Sequence, residues 1–156
     1  MRVVLQRVSR AGVSIEGSKT VSIGRGLLLL VGIGPEDGPK EIDAAVDRIS
    51  GLRIFSDDEG KMNLSISDVA GEILVVSQFT LYGDLARGRR PSFSGAAAPE
   101  HAAPLIDRLV EGFRRAGLGV SSGEFGAKMS VGLVNDGPVT FSMEFRDGAL
   151  VDSGHP

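Results

Sequence analysis

The sequence predicts a single mixed α/β domain that is rich in strands, with about seven to nine strands and two main helices. Three observations lead to this fold class. Short apolar runs rich in β-branched residues recur along the chain. Two longer segments, 39–52 and 99–116, place their apolar residues at helical spacing instead. The 156 residues, 42% of them apolar, are enough for one sizeable core.

The first strands are predicted from alternating and continuous apolar patterns. Residues 2–8 alternate weakly, which is typical of a strand with one buried face. Residues 12–16 and 19–23 flank the pair Gly17-Ser18, a two-residue turn that favours a β-hairpin. The unbroken apolar run at 26–33 predicts a central strand that is buried on both faces.

The first helix is predicted at 39–52, and Pro39 suits its first turn. A short strand is then expected at 53–55, while residues 61–66 fit either a strand or an ordered loop. Between them, residues 57–60 carry three carboxylates. Their spacing lacks the alternating ligands and distal glutamate of a calcium loop, so we interpret them as a solvated turn.

The stretch from 72 to 84 organises the rest of the chain. Its apolar run, 73–76, predicts a strand buried on both faces, and the hydroxyl and amide groups of Ser77, Gln78 and Thr80 follow at once. If the strand continued, alternation would place Ser77 and Phe79 on one face and Gln78 and Thr80 on the other. Such groups can line a pocket or simply cap the end of a strand, and the sequence of this stretch alone favours a capped strand end.

A glycine-rich loop with three arginines, Arg87, Arg89 and Arg90, comes next, close to the aromatic Phe93. Arginine forks suit phosphate groups, and an aromatic ring suits a base or ribose. Composition by itself favours the alternative, a solvated surface loop.

The remaining elements are the second helix at 99–116, with an exposed His101 in its first turn, and closing strands at 120–125, 127–134 and 139–146. Residues 147–156, which include His155, are expected to form a loose tail. Between the last two strands, Asn135-Asp-Gly-Pro-Val-Thr140 is strong turn chemistry. The glycine allows other atoms to approach its backbone closely, and the proline restricts the backbone conformation.

Composition excludes several classes of function. The formal charge of −3 argues against a general nucleic-acid coat, although a local basic patch is compatible with it. With no cysteine, two histidines and no carboxylates at ligand spacing, we expect no disulfide, no metal site and no cofactor. Apolar runs such as 27–31 are too short to span a bilayer, and no signal-peptide pattern follows Met1. We therefore expect no membrane association and a cytoplasmic location.

The motifs together resemble the D-aminoacyl-tRNA deacylases, the D-tyrosyl-tRNA(Tyr) deacylase family. Ser77-Gln-Phe-Thr-Leu81 resembles the family's active-site motif, and 135–140 resembles its Gly-cis-Pro motif. Four further segments match in the same order, namely Gln6-Arg-Val-Ser-Arg-Ala11, Lys61-Met-Asn-Leu-Ser65, Gly88-Arg-Arg-Pro-Ser-Phe93 and Gly123-Glu-Phe-Gly-Ala-Lys-Met129. The resemblance covers nearly the whole chain and implies one deacylase domain, 1–146, followed by the tail.

The resemblance implies a three-layer β/β/α sandwich that pairs as a homodimer. It also implies hydrolysis of the ester between a D-amino acid, or glycine on mischarged tRNA, and the terminal adenosine of tRNA. Ser77, Gln78, Phe79 and Thr80 would lie beside that ester. Gly137 and Pro138 of one subunit would enter the pocket of the other and reject L-amino acids, with Met129 as a possible wall or else a core methionine.

The chemistry has two candidate forms. Thr80 could act as a nucleophile, but a threonine hydroxyl needs an activating base and neither histidine is an evident one. We therefore favour attack by water assisted by the substrate's ribose hydroxyl, with backbone N–H groups near Phe79 and Thr80 stabilising the oxyanion. Arg87, Arg89 and Arg90 are candidates for gripping the acceptor end of tRNA.

Three rival functions remain open at this point. A relative with a trans Gly-Pro bond would admit small L-amino acids such as alanine. A non-catalytic tRNA-binding module would protect the ester instead of consuming it. A structural dimer with no RNA partner would leave the pairing of the two motifs, 77–81 and 135–140, unexplained.

Overall fold

The computed structural model describes residues 1–17, 19–86 and 88–152. Nine strands and two helices occur in this part of the chain. In order they are β1 (Arg2–Ile15), β2 (Thr20–Ile23), β3 (Gly26–Gly32), α1 (Pro39–Ser50), β4 (Phe55–Ser56), β5 (Met62–Leu64), β6 (Glu72–Ser77), a 3₁₀ turn (Phe79–Tyr82), α2 (Pro99–Arg115), β7 (Gly119–Ser122), β8 (Met129–Arg146) and β9 (Ala149–Asp152).

Seven strands form one sheet in the order β7-β6-β3-β1-β8-β9, with β2 paired to β1, while β4 and β5 form a small hairpin of their own. The strands β3, β6 and β7 run parallel to one another, and β1 pairs antiparallel with β2, β3 and β8. Strand β6 is thus flanked on both sides. Its apolar run from Ile73 to Val76 is buried, which confirms the prediction from the β-branched pattern.

Two hydrophobic clusters on opposite faces of the curled sheet create the layers. On one face, α1 and α2 pack over Leu29 of β3 and Val75 of β6, and Phe113 of α2 belongs to the same cluster. On the other face, Val13 of β1 and Ile23 of β2 pack with Leu74 and other residues of the central strands. The long strand β1 contributes to both clusters, with Val3 and Leu5 in the first and Val8, Ala11, Val13 and Ile15 in the second. The mixed, strand-rich sandwich with two helices is therefore confirmed.

The two helices lie in close contact on the sheet. A side-chain carbon at Gly112 of α2 would come within 2.6 Å of Val46 on α1, so a glycine is needed at this contact. Helix α1 begins at Pro39 as predicted. The Glu41 side chain accepts a hydrogen bond from the Gly38 N–H at 2.8 Å and one from the Gly148 N–H at 2.9 Å. It thereby ties the start of the helix to the turn between β8 and β9.

Three predictions about strands were wrong in detail. The segments 2–8 and 12–16 are one strand, β1, and 127–134 and 139–146 are one strand, β8, because the two pair along almost their whole lengths. The tail expected from residue 147 contains strand β9, which pairs with β8 after a tight turn. Asp147 and Gly148 at this turn have φ of 52° and 73°. The sequence Asp-Gly is typical of tight turns with positive φ, so the sequence itself indicated a turn here. His155 lies outside the described residues.

None of the helices in the described ranges is both long enough and apolar enough to cross a membrane.

Candidate active site

A cavity of about 330 Å³ opens where strand β6 ends. Ser77, Gln78 and Phe79 line it, so the structure brings three of the four predicted catalytic residues to one cavity. The remaining walls come from the end of β3, the loop before α2, the start of α2 and the turn after β7, as Val31, Ile33, Phe93, Ala96, Ala97, Pro99, Ala102, Ile106, Phe125 and Gly126. Most of these walls are apolar, with the polar groups concentrated at the end of β6.

The chain turns immediately after Ser77, so the strand does not continue and the condition for alternating faces is not met. Residues Phe79–Tyr82 form a 3₁₀ turn, entered through Gln78 at φ −143° and ψ 79°. The Gln78 N–H donates to the Val31 carbonyl at 2.8 Å, which is the last backbone bond before the turn. The Gln78 side-chain amide bonds to the Thr80 hydroxyl. Thr80 does not line the cavity itself but is linked to a residue that does.

The backbone N–H groups of Phe79 and Thr80 have no hydrogen-bond acceptor in the described part of the chain. The first N–H groups of any helical turn lack an internal partner, and here no side chain caps them. Phe79 is 57% exposed and lines the cavity, so these donors are close to the place where a substrate would bind. An arrangement of two unused donors can stabilise developing negative charge on an oxygen.

Aromatic side chains form part of the cavity rim. The rings of Phe79 and Phe93 meet edge to face, with centroids 5.1 Å apart and an interplanar angle of 74°. Phe125 lies on the wall as well and is 38% exposed. Sequence reasoning noted Phe93 only as a neighbour of the arginines and gave Phe125 no role. The single signal for Phe125 was its place within the 123–129 motif.

The arginine loop is attached to this rim. Asp84 and Ser92 exchange two backbone hydrogen bonds, of 2.7 and 3.1 Å, which close the loop at its base next to Phe93. Arg89 and Arg90 are exposed, and Gly88 beside them has φ of 70°, a conformation that favours glycine. Arg87, the third predicted arginine, lies outside the described residues.

The second motif forms a bulge in strand β8. Thr140 pairs with Gln6 and Asn135 pairs with Val8, so the four intervening residues stand opposite Arg7 alone. The peptide bond between Gly137 and Pro138 is cis. Gly137 has φ of 156°, and a side-chain carbon there would lie 2.5 Å from the Val139 nitrogen, so only glycine fits.

Two side chains hold this bulge. Asn135 closes it from within, since its oxygen accepts the Val139 N–H at 2.8 Å and its amide donates to the Val139 carbonyl at 3.0 Å. Arg7, which is only 7% exposed, donates from Nε to the Asp136 carbonyl at 2.8 Å. Gly137 and Pro138 themselves are exposed. Sequence reasoning did not single out Arg7, although it lies in one of the matched segments.

The bulge and the cavity are far apart within one chain. Ser77 pairs with Val31 and Val31 with Val3, four residues along β1 from Arg7. At strand spacings of about 4.8 Å and a rise of about 3.3 Å per residue, the bulge lies roughly 20 Å from Ser77. Accordingly, Gly137 and Pro138 do not line the cavity.

The other predicted residues lie around the site. Met129 is half-buried and packs against the turn that carries Phe125. Its sulfur lies so close to Gly123 that a side-chain carbon there would be only 2.5 Å away. It does not line the cavity. The His101 Nε2 bonds to the Asp37 carbonyl at 2.8 Å, outside the cavity. No group of three potential metal ligands occurs among the residues that the structure describes.

A comparison with family models matches residues 4–144 to the family described as D-Tyr-tRNA(Tyr) deacylase. The chain belongs to this family. Its similar curated relatives include the D-aminoacyl-tRNA deacylase of Roseiflexus castenholzii, 54% identical over 144 residues that cover 92% of each chain. The D-aminoacyl-tRNA deacylase of Heliobacterium modesticaldum is 52% identical over 148 residues, which cover 95% of this chain and 99% of that protein.

Solved structures also share this fold. The protein titled c-Myc DNA Unwinding Element Binding Protein superposes with a TM-score of 0.86 at 41% identity, covering 94% of this chain and 99% of that one. A probable eukaryotic D-amino acid tRNA deacylase has the same fold, with a TM-score of 0.77 at 24% identity over 90% and 97% of the two chains. By family, the chain is a hydrolase of the class that acts on aminoacyl-tRNA esters.

Proposed function

We propose that this chain hydrolyses the ester between a D-amino acid and the terminal adenosine of tRNA, removes glycine from mischarged tRNA, and rejects L-aminoacyl-tRNA. The observation that carries the proposal is the cavity at the end of β6, which Ser77, Gln78 and Phe79 line, next to a turn whose Phe79 and Thr80 N–H groups have no acceptor in the described part of the chain. This activity would serve translation quality control in the cytoplasm, because it returns the tRNA for correct charging.

The reaction proceeds by attack of water on the ester carbonyl. The carbonyl oxygen becomes negative in the tetrahedral intermediate, and the N–H groups of Phe79 and Thr80 stabilise it. The vicinal ribose hydroxyl of the substrate assists the attacking water, and Ser77 and Gln78 position that ribose. The ester bond then breaks, and the ribose oxygen that leaves takes up a proton. His101 does not serve as the base, since its Nε2 is bonded to a backbone carbonyl outside the cavity.

Chiral selection depends on a second subunit. In this proposal, the backbone carbonyls of Gly137 and Pro138 of one subunit reach the cavity of the other, accept hydrogen bonds from the substrate ammonium group and crowd one side of its α-carbon. The support is that the bulge is exposed, is held by Arg7 and Asn135, and lies roughly 20 Å from its own cavity by strand spacing. Met129 would add a wall to the composite pocket.

A dimer is supported by the character of strand β8. Its side chains around the bulge include four exposed large apolar residues, Val131, Leu133, Val134 and Phe141, each 36% to 40% exposed. From Met129 to Phe141, β8 pairs with β1 alone, because β9 joins it only from Glu144 onward. A partner subunit that covers this apolar edge would bring the two bulges and two cavities together.

Rejection needs only a steric clash. An L side chain would have to occupy the crowded side of the α-carbon, whereas a D side chain points outward and glycine has none. Excluding the L-substrate by a factor of about 10³ requires about 4 kcal/mol, which overlap with fixed backbone atoms supplies. The identity of a D side chain should therefore matter little.

The acceptor end of tRNA would contact the arginine loop, through Arg87, Arg89 and Arg90. Arg89 and Arg90 support this because they are exposed on a loop whose base leads into the cavity rim at Phe93. Guanidinium groups bind phosphates in a bidentate manner. A local cluster of this kind is compatible with the overall charge of −3.

The test compares D-tyrosyl-tRNA, L-tyrosyl-tRNA, L-alanyl-tRNA and glycyl-tRNA side by side at low enzyme concentration. We expect rapid loss of the D-ester and the glycyl ester with the L-ester intact. Loss of both tyrosyl esters would contradict the role of Gly137 and Pro138. If L-alanyl-tRNA were hydrolysed as fast as the D-ester, the pocket would be the relaxed one of a different relative. Protection of all esters would indicate a tRNA-binding module.

A further inference from the structure

We propose that Arg2 and Tyr82 are positioning residues for ester hydrolysis, because they fix the far end of the turn that carries Phe79 and Thr80. The inference rests on the proposed function, in which the N–H groups of that turn stabilise the oxyanion. Neither Arg2 nor Tyr82 lines the cavity, so both would act through the turn and not on the substrate.

The turn is short and has few hydrogen bonds of its own. Residues Phe79–Tyr82 form a short 3₁₀ helix of four residues, and its bonds to the flanking residues run from the Leu81 N–H to the Gln78 carbonyl at 3.3 Å and from the Gly83 N–H to the Thr80 carbonyl at 3.0 Å. Bonds in 3₁₀ turns have poorer geometry than those of an α-helix. All four residues of the turn are also at least partly exposed, so none is fully enclosed by the core.

Arg2 supplies one external contact. Its guanidinium group donates to the Leu81 carbonyl at 2.9 Å, and its central carbon lies 4.6 Å from the centroid of the Tyr82 ring. A planar guanidinium over an aromatic ring gains a cation–π attraction as well as contact area. Arg2 also lies 3.9 Å from a Glu144 oxygen, which keeps the side chain on this side of the sheet. One arginine thus contacts the last two residues of the turn.

Tyr82 supplies the second contact. Its hydroxyl donates to a carboxylate oxygen of Asp37 at 3.3 Å, and the same oxygen accepts the Gly34 N–H at 2.6 Å. The other Asp37 oxygen lies 2.5 Å from the α-ammonium group of Met1. Burial, followed by the charge of Asp37, raises the pKa of Tyr82 above its ordinary value, so the hydroxyl keeps its proton, and its bond to Asp37, into more alkaline solution than a free tyrosine would.

The space around Tyr82 admits little movement. A side-chain carbon at Gly34 would lie 2.8 Å from the Tyr82 hydroxyl, and one at Gly32 would lie 3.2 Å from its ring. Both glycines belong to the end of β3 and the loop after it, which also supply Val31 and Ile33 to the cavity. The same backbone segment, residues 31–34, therefore contacts Tyr82 of the turn and forms part of the cavity wall.

Loss of either contact should lower kcat and leave KM nearly unchanged. The cavity walls that bind the substrate would remain, but the oxyanion donors would no longer be held at one place. Displacements of about 1 Å are known to cost up to ~100-fold in rate. We expect kcat to fall about tenfold in Tyr82→Phe, which keeps the ring under Arg2, and in Arg2→Met, which removes the donor to Leu81.

The experiment measures kcat and KM on D-tyrosyl-tRNA for the wild type, Tyr82→Phe, Arg2→Met and Arg2→Lys. Arg2→Lys keeps a charged donor and should recover part of the loss. Arg108→Met is the matched control, since it removes an exposed arginine that pairs with Asp43 between the helices, away from the cavity. Amide hydrogen exchange of residues 79–83 reports the order of the turn independently of catalysis and should quicken several-fold in Tyr82→Phe and Arg2→Met alone.

Two kinetic results would overturn the inference and leave the proposed function intact. One is an active wild type whose Tyr82→Phe and Arg2→Met variants keep full kcat. The other is a fall in kcat that is not specific to the turn. Such a fall would also occur in Arg108→Met, or it would be accompanied by faster amide exchange in α2, which indicates a general loss of structure. An inactive wild type would contradict the proposed function and the catalytic part of this inference together, whereas unchanged exchange at 79–83 would contradict the positioning contacts alone.

Discussion

The buried guanidinium group of Arg7 donates from Nε to the backbone oxygen of Asp136 at 2.8 Å, directly before Gly137. A second nitrogen of the same group donates to the Ile54 carbonyl at 2.6 Å. One side chain on β1 therefore joins the bulge of β8 to the segment before β4. Because the bulge is exposed, this internal hold is what gives Gly137 and Pro138 a fixed position.

Replacing Arg7 should weaken both stability and chiral selection. In Arg7→Met, two backbone carbonyls lose a charged donor, which should lower the free energy of unfolding by about 2–3 kcal/mol. The discrimination between D- and L-tyrosyl-tRNA should fall by about tenfold or more, equivalent to about 1.4 kcal/mol. Denaturant unfolding and paired deacylation rates measure the two effects. The exposed Arg10→Met is the control, and equal discrimination in both variants would contradict the role of Arg7.

The substrate's own hydroxyl should matter more than that of Thr80. We expect Thr80→Ala to keep kcat within about tenfold, because the Thr80 N–H survives the change. A tRNA ending in 2′-deoxyadenosine should react about 10²–10⁴-fold more slowly, which is the usual contribution of a positioned proton-transfer group. Single-turnover rates decide the question. The opposite pattern would restore Thr80 as the nucleophile.

The edge-to-face pair of Phe79 and Phe93 should act as a unit in substrate binding. The rings are 5.1 Å apart on the cavity rim, and such pairs contribute about 0.5–1.5 kcal/mol beyond their buried area. We expect Phe79→Leu and Phe93→Leu each to raise KM, and the double variant to raise it by less than the product of the two. A double-mutant cycle on KM measures this coupling, and strict additivity would show that the rings bind independently.

The arginine loop should govern the salt dependence of tRNA binding. If Arg89 and Arg90 each contact a phosphate, replacing both with alanine should reduce the slope of log affinity against log salt by about 2. The loss should be similar for tRNAs of different sequence. Binding titrations at several salt concentrations test this, with Arg48→Ala and Arg114→Ala on the helices as a matched pair of lost charges. An unchanged slope would remove these arginines from the interface.

Stability should decline in acid partly through Glu41. Burial acts to raise the pKa of this carboxyl, but the hydrogen bonds from Gly38 and Gly148 outweigh it, and the pKa lies below its ordinary value of 4.5. Its contribution is therefore present above about pH 4.5 and is lost as the pH falls through the lowered pKa.

The measurement is denaturant unfolding at pH 7 and at pH 3.5. Glu41→Gln should be less stable than the wild type at pH 7, by about 1 kcal/mol as for other helix caps, and the difference should shrink in acid. Glu59→Gln, an exposed carboxylate paired with Lys61, serves as the control. A difference that stays constant with pH would show that the charge of Glu41 is not what stabilises the helix start.

Local patterns in the sequence determined which segments form strands and helices. The unbroken run from Ile73 to Val76 predicted a buried strand, and the helical spacing after Pro39 and Pro99 predicted two helices, because these preferences depend on near neighbours. The motifs at 77–80 and 135–140 were recognisable for the same reason. Their identity and order carried the family resemblance without any knowledge of contacts.

Only the tertiary structure decided how these parts meet. The union of two predicted segments into β8 depends on pairing with β1, more than a hundred residues earlier. The placement of Phe93 and Phe125 on one cavity, and the burial of Arg7 between Ile54 and Asp136, depend on contacts between segments distant in the chain. Such contacts form when the whole core closes, and no local preference of the residues involved encodes them.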